Sequence, residues 1–543
     1  MSDVISTEPT NSHPAAAPAV ESPIEVFAVY GVEPEIQAYA MAKYSRSSLS
    51  MKESLREITA QKAEKFLNTF YFQYGHRSIA DLAHIALAIE RLSILAAIVV
   101  ADEQRWDGQE RSTRYQDFRK SGYYTPVFQN PIFQNNAHEK GANADASWAR
   151  TLYRETIECL FTTYEKVSQR TFEYLASITP RPAEMKADAY ERTLRARAFD
   201  ISRYLLPLST NTSLGEILNA RTLENQVAHL LSQPHKEVRD LGGLLKQAAI
   251  SPAYNAGEES MRALIAEIRT VSPEIADRAE RQLLREVRVA PTLVKYADPN
   301  LYEIETRREL QQAAAELMQG AAIEPAPLVD LLDSDPFELE LATTLLYGHC
   351  YYSYRQLRQA LEAAGEARLR EIIELGLRHR GRHDEMLRPF SSGQQFRFDI
   401  LMDIGGFRDM HRHRRCVQIM QDFSTVHGFD TPPEVKTAGA SSDYEFAMKR
   451  AETAVYKLSA IGGKEAAENA QYAIPLAFRK RTLFKMDFAE AVYISELRTT
   501  PAGHTSYRNV AYAMYEAVAA RFPALAKYFR VHDVREPVDL LKR

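Results

Sequence analysis

The chain has 543 residues, more than one hydrophobic core normally accommodates, and its 45% apolar and 26% charged residues are typical of a soluble globular protein. The formal net charge of −5 argues against a general affinity for nucleic acid. Three cysteines, Cys159, Cys350 and Cys416, are far apart and lack the spacing of zinc ligands or of a disulfide framework. We therefore expect reduced core cysteines in a cytoplasmic protein.

The first 24 residues are rich in Ala, Pro, Ser, Thr and Glu and contain no Lys or Arg, so they lack the features of a secretory signal. They predict a disordered tail. The longest apolar run, residues 92–101, is about half of the roughly 20 residues that cross a bilayer. It predicts a buried helix or strand, and no segment is expected to span a membrane.

The first half of the chain alternates short apolar runs with helical patterns. Residues 24–30 predict a buried strand and residues 51–74 a helix. Polar, aperiodic residues at 131–147 and 180–187 predict loops. Residues 261–288 are charged at helical spacing and predict the helix that joins the two halves.

The second half is expected to begin at residues 291–302. A turn is predicted at 320–327, followed by helices that include Leu346 and Leu377. Because most segments outside the short β-like runs have helical periodicity, the fold class is α+β with helices dominant.

Two sequence blocks occur twice in the same order. Gln-Asp-Phe followed by Gly-aromatic-x-Thr-Pro stands at residues 116–126 and again at 421–432, and Tyr-x-x-Pro-Leu stands at 204–208 and 472–476. The period is far longer than any solenoid repeat and indicates a duplicated domain. The predicted organisation is a disordered tail (1–24), a first copy (25–275), a connecting helix (276–290) and a second copy (291–543).

A compact group of polar residues precedes the first Gln-Asp-Phe block. Glu110, Ser112 and Arg114 would share one side of an extended segment. A hydroxyl beside a guanidinium can hold a phosphate through charge-assisted hydrogen bonds, and arginine adds a bidentate fork. In isolation such a group is more often a solvated surface patch.

The pattern Glu-x-Ser-x-Arg-Tyr, preceded by Gly75-His76-Arg77-Ser78 and by Asp81, resembles the signature region of flavin-dependent thymidylate synthases. Asn219, Arg221 and Asn225 also stand at the spacing of that family. The resemblance implies tandem copies of the family fold. It implies that dUMP is bound by Glu110, Ser112, Arg114 and Tyr115, and FAD by His76, Asp81, Gln109, Asn219, Arg221 and Asn225.

The first copy lacks two features of the family, and the second copy has residues of the required type for both. Asp102-Glu103-Gln104 stands where the family has Arg-His-Arg, and Ala228-His229-Leu230 stands where it has a catalytic Arg. The second copy has Arg412, His413 and Arg414, predicted to contact FAD, and Arg498 at the position of the catalytic Arg. In the family that arginine binds the uracil ring and polarises it for hydride attack, which requires a fixed cation. The alternative is an ordinary surface arginine at a helix end.

Matching the two Gln-Asp-Phe blocks places Arg412-His413-Arg414 over residues 107–109, five residues later than the family motif. In the same alignment Val417, Ile419 and Met420 replace the Ser, Arg and Tyr of the first copy. His411 and His413 cannot share a helix face, so no metal site is expected.

The resemblance implies FAD-dependent methylation of dUMP to dTMP, with methylenetetrahydrofolate as carbon donor and NADPH as reductant. The two copies complement each other, and family sites are assembled from several subunits of a tetramer. We therefore expect a homodimer that forms a pseudo-tetramer, in which Ser112 and Arg114 of one copy meet Arg498, with Arg412 and Arg414 as further candidates, from the other.

Two alternatives remain open at this stage. A degenerate signature favours a repurposed or non-catalytic nucleotide- or flavin-binding member of the same fold. The cluster of basic residues 412–415, with Phe407 and Phe423 nearby, could instead bind RNA.

Overall fold

The structure is a computed structural model that describes residues 31–43, 52, 55, 77–128, 142–333, 336–381, 387–390, 396–461, 464–527 and 529–541. The expected tail (1–24), the expected strand (24–30) and His76 lie outside the described residues, as does the expected helix over 51–74 apart from two isolated positions.

The α+β class with helices dominant is confirmed. The helices and strands of the first half are, in chain order, α1 (Pro34–Lys43), β1 (His84–Ser93), α2 (Ile94–Ala101), β2 (Asp107–Glu110), α3 (Ala142–Ile178), α4 (Ala187–Ser202), β3 (Asn211–Asn219), α5 (Ala220–Leu231), α6 (Lys236–Ile250), α7 (Glu258–Val271) and α8 (Pro273–Leu283).

The second half repeats the succession of a long strand, a short helix and a short strand that β1, α2 and β2 form in the first. Its elements are α9 (Leu301–Leu317), β4 (Val329–Leu331), α10 (Phe337–Tyr347), α11 (Tyr354–Ala364), α12 (Glu366–Leu377), β5 (Phe396–Asp403), α13 (Ile404–Met410), β6 (Val417–Met420), α14 (Pro433–Thr437), α15 (Ser441–Ser459), α16 (Lys464–Ala470), β7 (Arg479–Met486), α17 (Phe488–Arg498), α18 (Thr505–Arg521) and α19 (Pro523–Ala526). Short 3-10 helices lie at Arg77–Leu82, Arg203–Leu205, Arg388–Phe390 and Gln471–Ala473.

Each half is built on one antiparallel sheet. The strand order is β1-β3-β2 in the first sheet and β4-β5-β7-β6 in the second. In each half the first long strand leads directly into a short buried helix, which a side chain at the strand end caps: Ser93 accepts a hydrogen bond from the N–H of Ala96, and Asp403 from that of Gly406. The apolar run 92–101 is therefore the end of β1 followed by helix α2, as expected.

The two Tyr-x-x-Pro-Leu blocks pair with each other at the centre of the molecule. The N–H of Leu208 donates to the carbonyl of Ile474 (2.9 Å), and the N–H of Leu476 donates to the carbonyl of Leu206 (3.0 Å). An antiparallel bridge joins Pro207 and Pro475 between them. The side chains around this bridge belong to one continuous hydrophobic core that draws on both halves. The duplication is thus also a pseudo-twofold arrangement, with the equivalent blocks of the two copies in contact.

The connection between the halves differs from the single helix expected over residues 261–288. Two helices, α7 and α8, meet at Ser272, whose backbone is extended (φ −148°, ψ 101°). Pro273 lacks a backbone N–H and disfavours a helical conformation at the preceding residue, so the helix is interrupted there. Helix α8 ends at Leu283, so the expected connecting helix over 276–290 is only partly helical.

The predicted loop at 131–147 also differs, because helix α3 already begins at Ala142, while residues 180–186 are non-helical as expected. Among the described residues, no helix combines the length and apolar character needed to cross a bilayer.

Candidate functional site

The strand ladders fix how the two copies correspond. Asp107 at the start of β2 pairs with Ile217, two residues before the residue that caps α5. Val417 at the start of β6 pairs with Lys485, likewise two residues before the cap of α17. Strands β2 and β6 are therefore equivalent, residue by residue.

This correspondence corrects the alignment of the basic motif. Arg412-His413-Arg414 begins five residues before β6, and Asp102-Glu103-Gln104 begins five residues before β2. The basic triplet is therefore equivalent to Asp102-Glu103-Gln104, where the resemblance implies the family's Arg-His-Arg, and the alignment over residues 107–109 is wrong.

The cause of the misalignment is a missing loop. In the first copy five residues, 111–115, separate the end of β2 from Gln116, whereas Gln421 follows β6 directly. The second copy therefore has no counterpart of Ser112, Arg114 or Tyr115, and the interpretation that residues of β6 replace them is also wrong.

The loop that contains Ser112 is a turn and not the extended segment we expected. Strand β2 ends at Glu110, and the chain turns through residues 113–115. The hydroxyl of Ser112 accepts a hydrogen bond from the backbone N–H of Arg114 (3.2 Å), which closes the turn. Glu110, Ser112 and Arg114 are consequently held together by the turn and by contacts with the second copy.

Arg114 connects the two copies. Its guanidinium makes a bidentate contact with Asp200 (2.9 and 3.2 Å), donates to the hydroxyl of Tyr507 (2.9 Å) and reaches the carbonyl of Ala502 (3.0 Å). Burial alone would raise the pKa of Asp200, but the neighbouring His504, together with the arginines, holds that pKa far below its usual range. Asp200 is therefore ionised, and Arg114 is fixed in place.

A second carboxylate, Asp409 on α13, lies near arginines of both copies. It pairs with Arg203 (3.2 Å). Burial would raise its pKa, but Arg203 and then Arg114, Arg412 and Arg498 lower it. All four arginines therefore lie close enough to Asp409 to act on its charge.

Glu110 is the third carboxylate of this region. It pairs with Arg408 and lies 3.8 Å from Arg412. Arg408 also donates to the hydroxyl of Thr113 (3.3 Å), so the second copy contacts both the end of β2 and the start of the turn.

We call this group the arginine cluster. It contains five arginines and three carboxylates, which leaves a surplus of two positive charges. Its members are Arg114, Arg203, Arg408, Arg412, Arg498, Glu110, Asp200 and Asp409.

Arg498 is the last residue of α17. Of the five arginines of the cluster, it is the one whose positive charge is least compensated by carboxylates. Its Nε donates to Nε2 of His413 (2.8 Å), and its guanidinium carbon lies 5.5 Å from the ring centroid of Tyr507. The guanidinium carbon of Arg114 lies at the same distance from that ring. Among the described residues Arg498 has no carboxylate at ion-pairing distance. Arg114 of the first copy and Arg498 of the second thus meet at the ring of Tyr507 within a single chain.

The family model for the thymidylate synthase complementing protein matches residues 29–250 and 339–524, about three quarters of the chain. The chain belongs to this family. One match falls in each half, in agreement with the tandem copies seen in the fold.

The chain is also similar over nearly its whole length to two curated proteins. The UPF0159 protein of Chlamydia pneumoniae is 27% identical, with 95% of this chain and 93% of the relative covered. The UPF0159 protein Ta1429 of Thermoplasma acidophilum is 26% identical, with 91% and 94% covered. A flavin-dependent thymidylate synthase of Clostridium tetani is 23% identical over 39% of this chain and 76% of its own.

Two solved structures are similar at lower identity. A UMP/dUMP methylase, PolB, from Streptomyces cacaoi, bound with 5-Br dUMP, is 15% identical, with a TM-score of 0.28 and coverage of 39% of this chain and 84% of that chain. A flavin-dependent thymidylate synthase, ThyX, from Helicobacter pylori, complexed with FAD and dUMP, is 16% identical, with a TM-score of 0.24 and coverage of 40% and 89%.

Several of the family-derived FAD residues lie away from the arginine cluster. Asn219 caps α5 by accepting from the N–H of Thr222 (2.8 Å), and Arg221 pairs with Asp81 (3.1 Å). Asn225 follows Arg221 by one helical turn and is partly buried. These residues lie near the C-terminal end of β3. Glu110 of the arginine cluster pairs with Leu214, nearer the N-terminal end of the same strand.

The remaining predicted residues lie along β2 and the basic motif. Gln109 is exposed on β2, and the half-exposed ring of Tyr115 lies 5.3 Å from the guanidinium carbon of Arg114. Arg414 packs over the indole of Trp106 (4.9 Å) and lies 3.9 Å from Asp107.

Four members of the arginine cluster escaped the sequence analysis: Asp200, Arg203, Arg408 and Asp409. So did Tyr507, whose hydroxyl and ring contact the cluster. One signal could have found Arg408. It is the fifth residue of α13, and the fifth residue of the equivalent helix α2 is Ile98. A charged residue in a buried helix that is wholly apolar in the other copy indicates a specific partner. No comparable pattern marks Asp200 or Tyr507.

Proposed function

We propose that the chain catalyses FAD-dependent methylation of dUMP to dTMP in a site formed between its two copies. The observation that carries this proposal is the arginine cluster. Its surplus of two positive charges, beside the Ser112 turn, suits a nucleotide monophosphate, which carries close to two negative charges at neutral pH. The family membership supports the same substrate class.

The contacts suggest a division of roles within the cluster. Arg114 is engaged by Asp200 and Tyr507, so it fixes the turn and contributes a constant positive charge behind Ser112. Arg412 is half exposed and only loosely paired. Arg412 and Arg498 are therefore the cations best able to contact a ligand, Arg412 at the phosphate and Arg498 at the pyrimidine ring.

The charge on Arg498 serves the proposed chemistry. Attack on the pyrimidine ring places negative charge on its carbonyl oxygens, and a fixed cation lowers the energy of that state. Because Tyr507 and His413 hold the guanidinium, little reorganisation is required when the charge develops.

The residues near the basic motif fit a flavin dinucleotide. Nη1 of Arg414 is buried and has no hydrogen-bond partner within the described part of the chain. A pyrophosphate oxygen could accept a hydrogen bond from it. When bound, FAD supplies the redox step, while methylenetetrahydrofolate and NADPH complete the proposed reaction.

A non-catalytic, nucleotide-binding member of the family is the second candidate. The observation that favours it is the equivalent position in the first copy, where Asp102 pairs with Arg388 (2.7 Å) instead of presenting a cation. The RNA-binding alternative is disfavoured, because Arg412, Arg414 and Arg415 face Glu110, Asp107 and Asp487 and do not form a continuous basic surface.

Incubation of purified protein with FAD, NADPH, methylenetetrahydrofolate and dUMP tests the proposal. We expect dTMP by mass spectrometry, and no dTMP when FAD or the folate is omitted. Protein that binds FAD and dUMP but forms no dTMP would support the non-catalytic candidate. Protein that binds neither would contradict both.

A further inference from the structure

A buried histidine connects Arg498 to a buried carboxylate. His413, in the segment before β6, lies between two residues of α17 that are about two turns apart, Glu490 and Arg498. Its Nε2 is 2.8 Å from Nε of Arg498, and its Nδ1 is 3.4 Å from Oε1 of Glu490. His413 and Glu490 are each about 5% exposed.

The contact with Arg498 determines the protonation state of the ring. The Nε of arginine always carries a hydrogen and can only donate. Nε2 of His413 must therefore offer its lone pair, so the ring is neutral and its single proton is on Nδ1, toward Glu490. Burial, the largest influence, lowers the pKa of His413 below its usual value, and the nearby Arg498 lowers it further against the opposing effect of Glu490.

Other groups packed near His413 act on its backbone or on one edge of its ring. Sγ of Cys416 (2.9 Å) and Nε2 of Gln418 (3.1 Å) both contact its carbonyl oxygen. The ring of Tyr493 meets the imidazole edge to face at 5.8 Å. Within the described residues, the charged groups that face the imidazole are thus Glu490 and Arg498.

The duplication provides an internal comparison. Glu490 is three residues after the cap of α17, and Thr222 is three residues after the cap of α5. Arg498 and Leu230 are likewise equivalent, since each is eleven residues after its cap, and His413 corresponds to Glu103. The first copy has none of the three groups, so the carboxylate, the imidazole and the arginine are present together or absent together.

We propose that His413 is a positioning residue for Arg498, in which a neutral imidazole anchored by Glu490 accepts the Nε–H and directs the guanidinium toward the pyrimidine ring. The proposal rests on the role of Arg498 in the proposed function. It goes beyond the flavin contact expected of His413, because it predicts that protonation of this ring disables the arginine. A protonated ring would set an N–H against the N–H of Arg498 and place two cations in contact.

The tautomer can be measured without any ligand. In protein labelled with 15N-histidine, the signals that disappear in the His413→Gln variant identify the ring. We expect a neutral ring protonated on Nδ1 at pH 7. A ring protonated on Nε2 would overturn the proposal whatever the enzymatic activity.

Activity then tests the positioning role. His413→Phe removes the acceptor and should lower kcat about 10²-fold, the scale of a misplaced catalytic group. His413→Gln, whose amide oxygen can accept the same hydrogen bond, should retain most of kcat. Wild-type kcat should fall at acidic pH, below the ordinary histidine pKa of about 6.5, as the imidazole is protonated. The His413→Gln variant should lack this fall.

Identical pH profiles for wild type and His413→Gln, or wild-type kcat in His413→Phe, would overturn the proposal. If the wild type shows the Nδ1–H tautomer but forms no dTMP, the proposed function fails, and dUMP affinity replaces kcat in the same comparison. Affinity that is pH-dependent in the wild type and flat in His413→Gln supports the positioning role, and equal profiles refute it.

Discussion

Arg498→Ala should lower kcat for dTMP formation by about 10²- to 10³-fold, the usual consequence of removing one fixed group that stabilises developing charge. The substitution takes away the one cluster arginine that, among the described residues, has no carboxylate partner, and it leaves the acceptor of His413 without its donor. Arg498→Lys should recover part of the loss, because a lysine keeps the charge but lacks the planar fork. Steady-state kinetics on FAD-loaded protein measures the effect.

The matched control for this prediction is Arg262→Ala. Arg262 is exposed on α7 and pairs with Glu258 one helical turn away. Its removal should leave kcat unchanged. An Arg498→Ala enzyme with activity within twofold of wild type would contradict the assigned role of Arg498.

Asp200→Ala should lower the free energy of unfolding by about 3–5 kcal/mol, the usual cost of removing one partner from a buried ion pair. Asp200 is buried and accepts two hydrogen bonds from Arg114, lies 3.6 Å from Arg203 and contacts His504 (3.1 Å). Its loss would leave buried positive charge between the two copies. Urea denaturation followed by circular dichroism measures the change.

Asp443→Ala is the control, since Asp443 forms an exposed ion pair with Arg170 (2.8 Å) and should contribute at most about 1 kcal/mol. The two variants should also differ in how the free energy of unfolding changes at acidic pH. The folded-state pKa of Asp200 lies below its unfolded value of about 4. Its stabilising effect is therefore present above pH 4 and is lost as the pH falls below it. Equal losses of stability in the two variants would refute this account of Asp200.

The sequence predicted the features that depend on local pattern. The two repeated blocks revealed the duplication, and the spacing after them located Arg498. Both depend on residues close together in the chain. Helices α2 and α13 illustrate this. In both copies a strand ends at a capping residue and a short helix follows, at matching positions.

The features that sequence reasoning missed depend on tertiary contacts. Asp200 lies on α4 and Tyr507 on α18, and only the packing of one copy on the other brings both to Arg114. The register of Arg412-His413-Arg414 failed for a different reason. The loss of a five-residue loop after β6 is invisible when the blocks on either side of it are matched by sequence alone.

The two copies of a single chain contact each other at the candidate site without a second chain. Arg114 contacts Tyr507, and Glu110 pairs with Arg408. Dimerisation into a pseudo-tetramer remains a prediction. The contacts of the arginine cluster form within one chain.

The pseudo-twofold arrangement would allow a second site in which the roles of the two copies are exchanged, but the residues for that site are missing. The first copy has Ile98, Asp102 and Leu230 at the positions of Arg408, Arg412 and Arg498, and the second copy lacks the turn at 111–115. The chain should therefore form one nucleotide site, although it contains two copies of the domain.

Titration of FAD-loaded protein with dUMP, followed by the flavin absorbance bands, tests this central claim most directly. We predict a perturbed flavin spectrum that saturates at one dUMP per chain and is lost in Arg498→Ala. A spectrum that dUMP leaves unchanged, or saturation at two dUMP per chain, would contradict the account of a single site formed between the two copies.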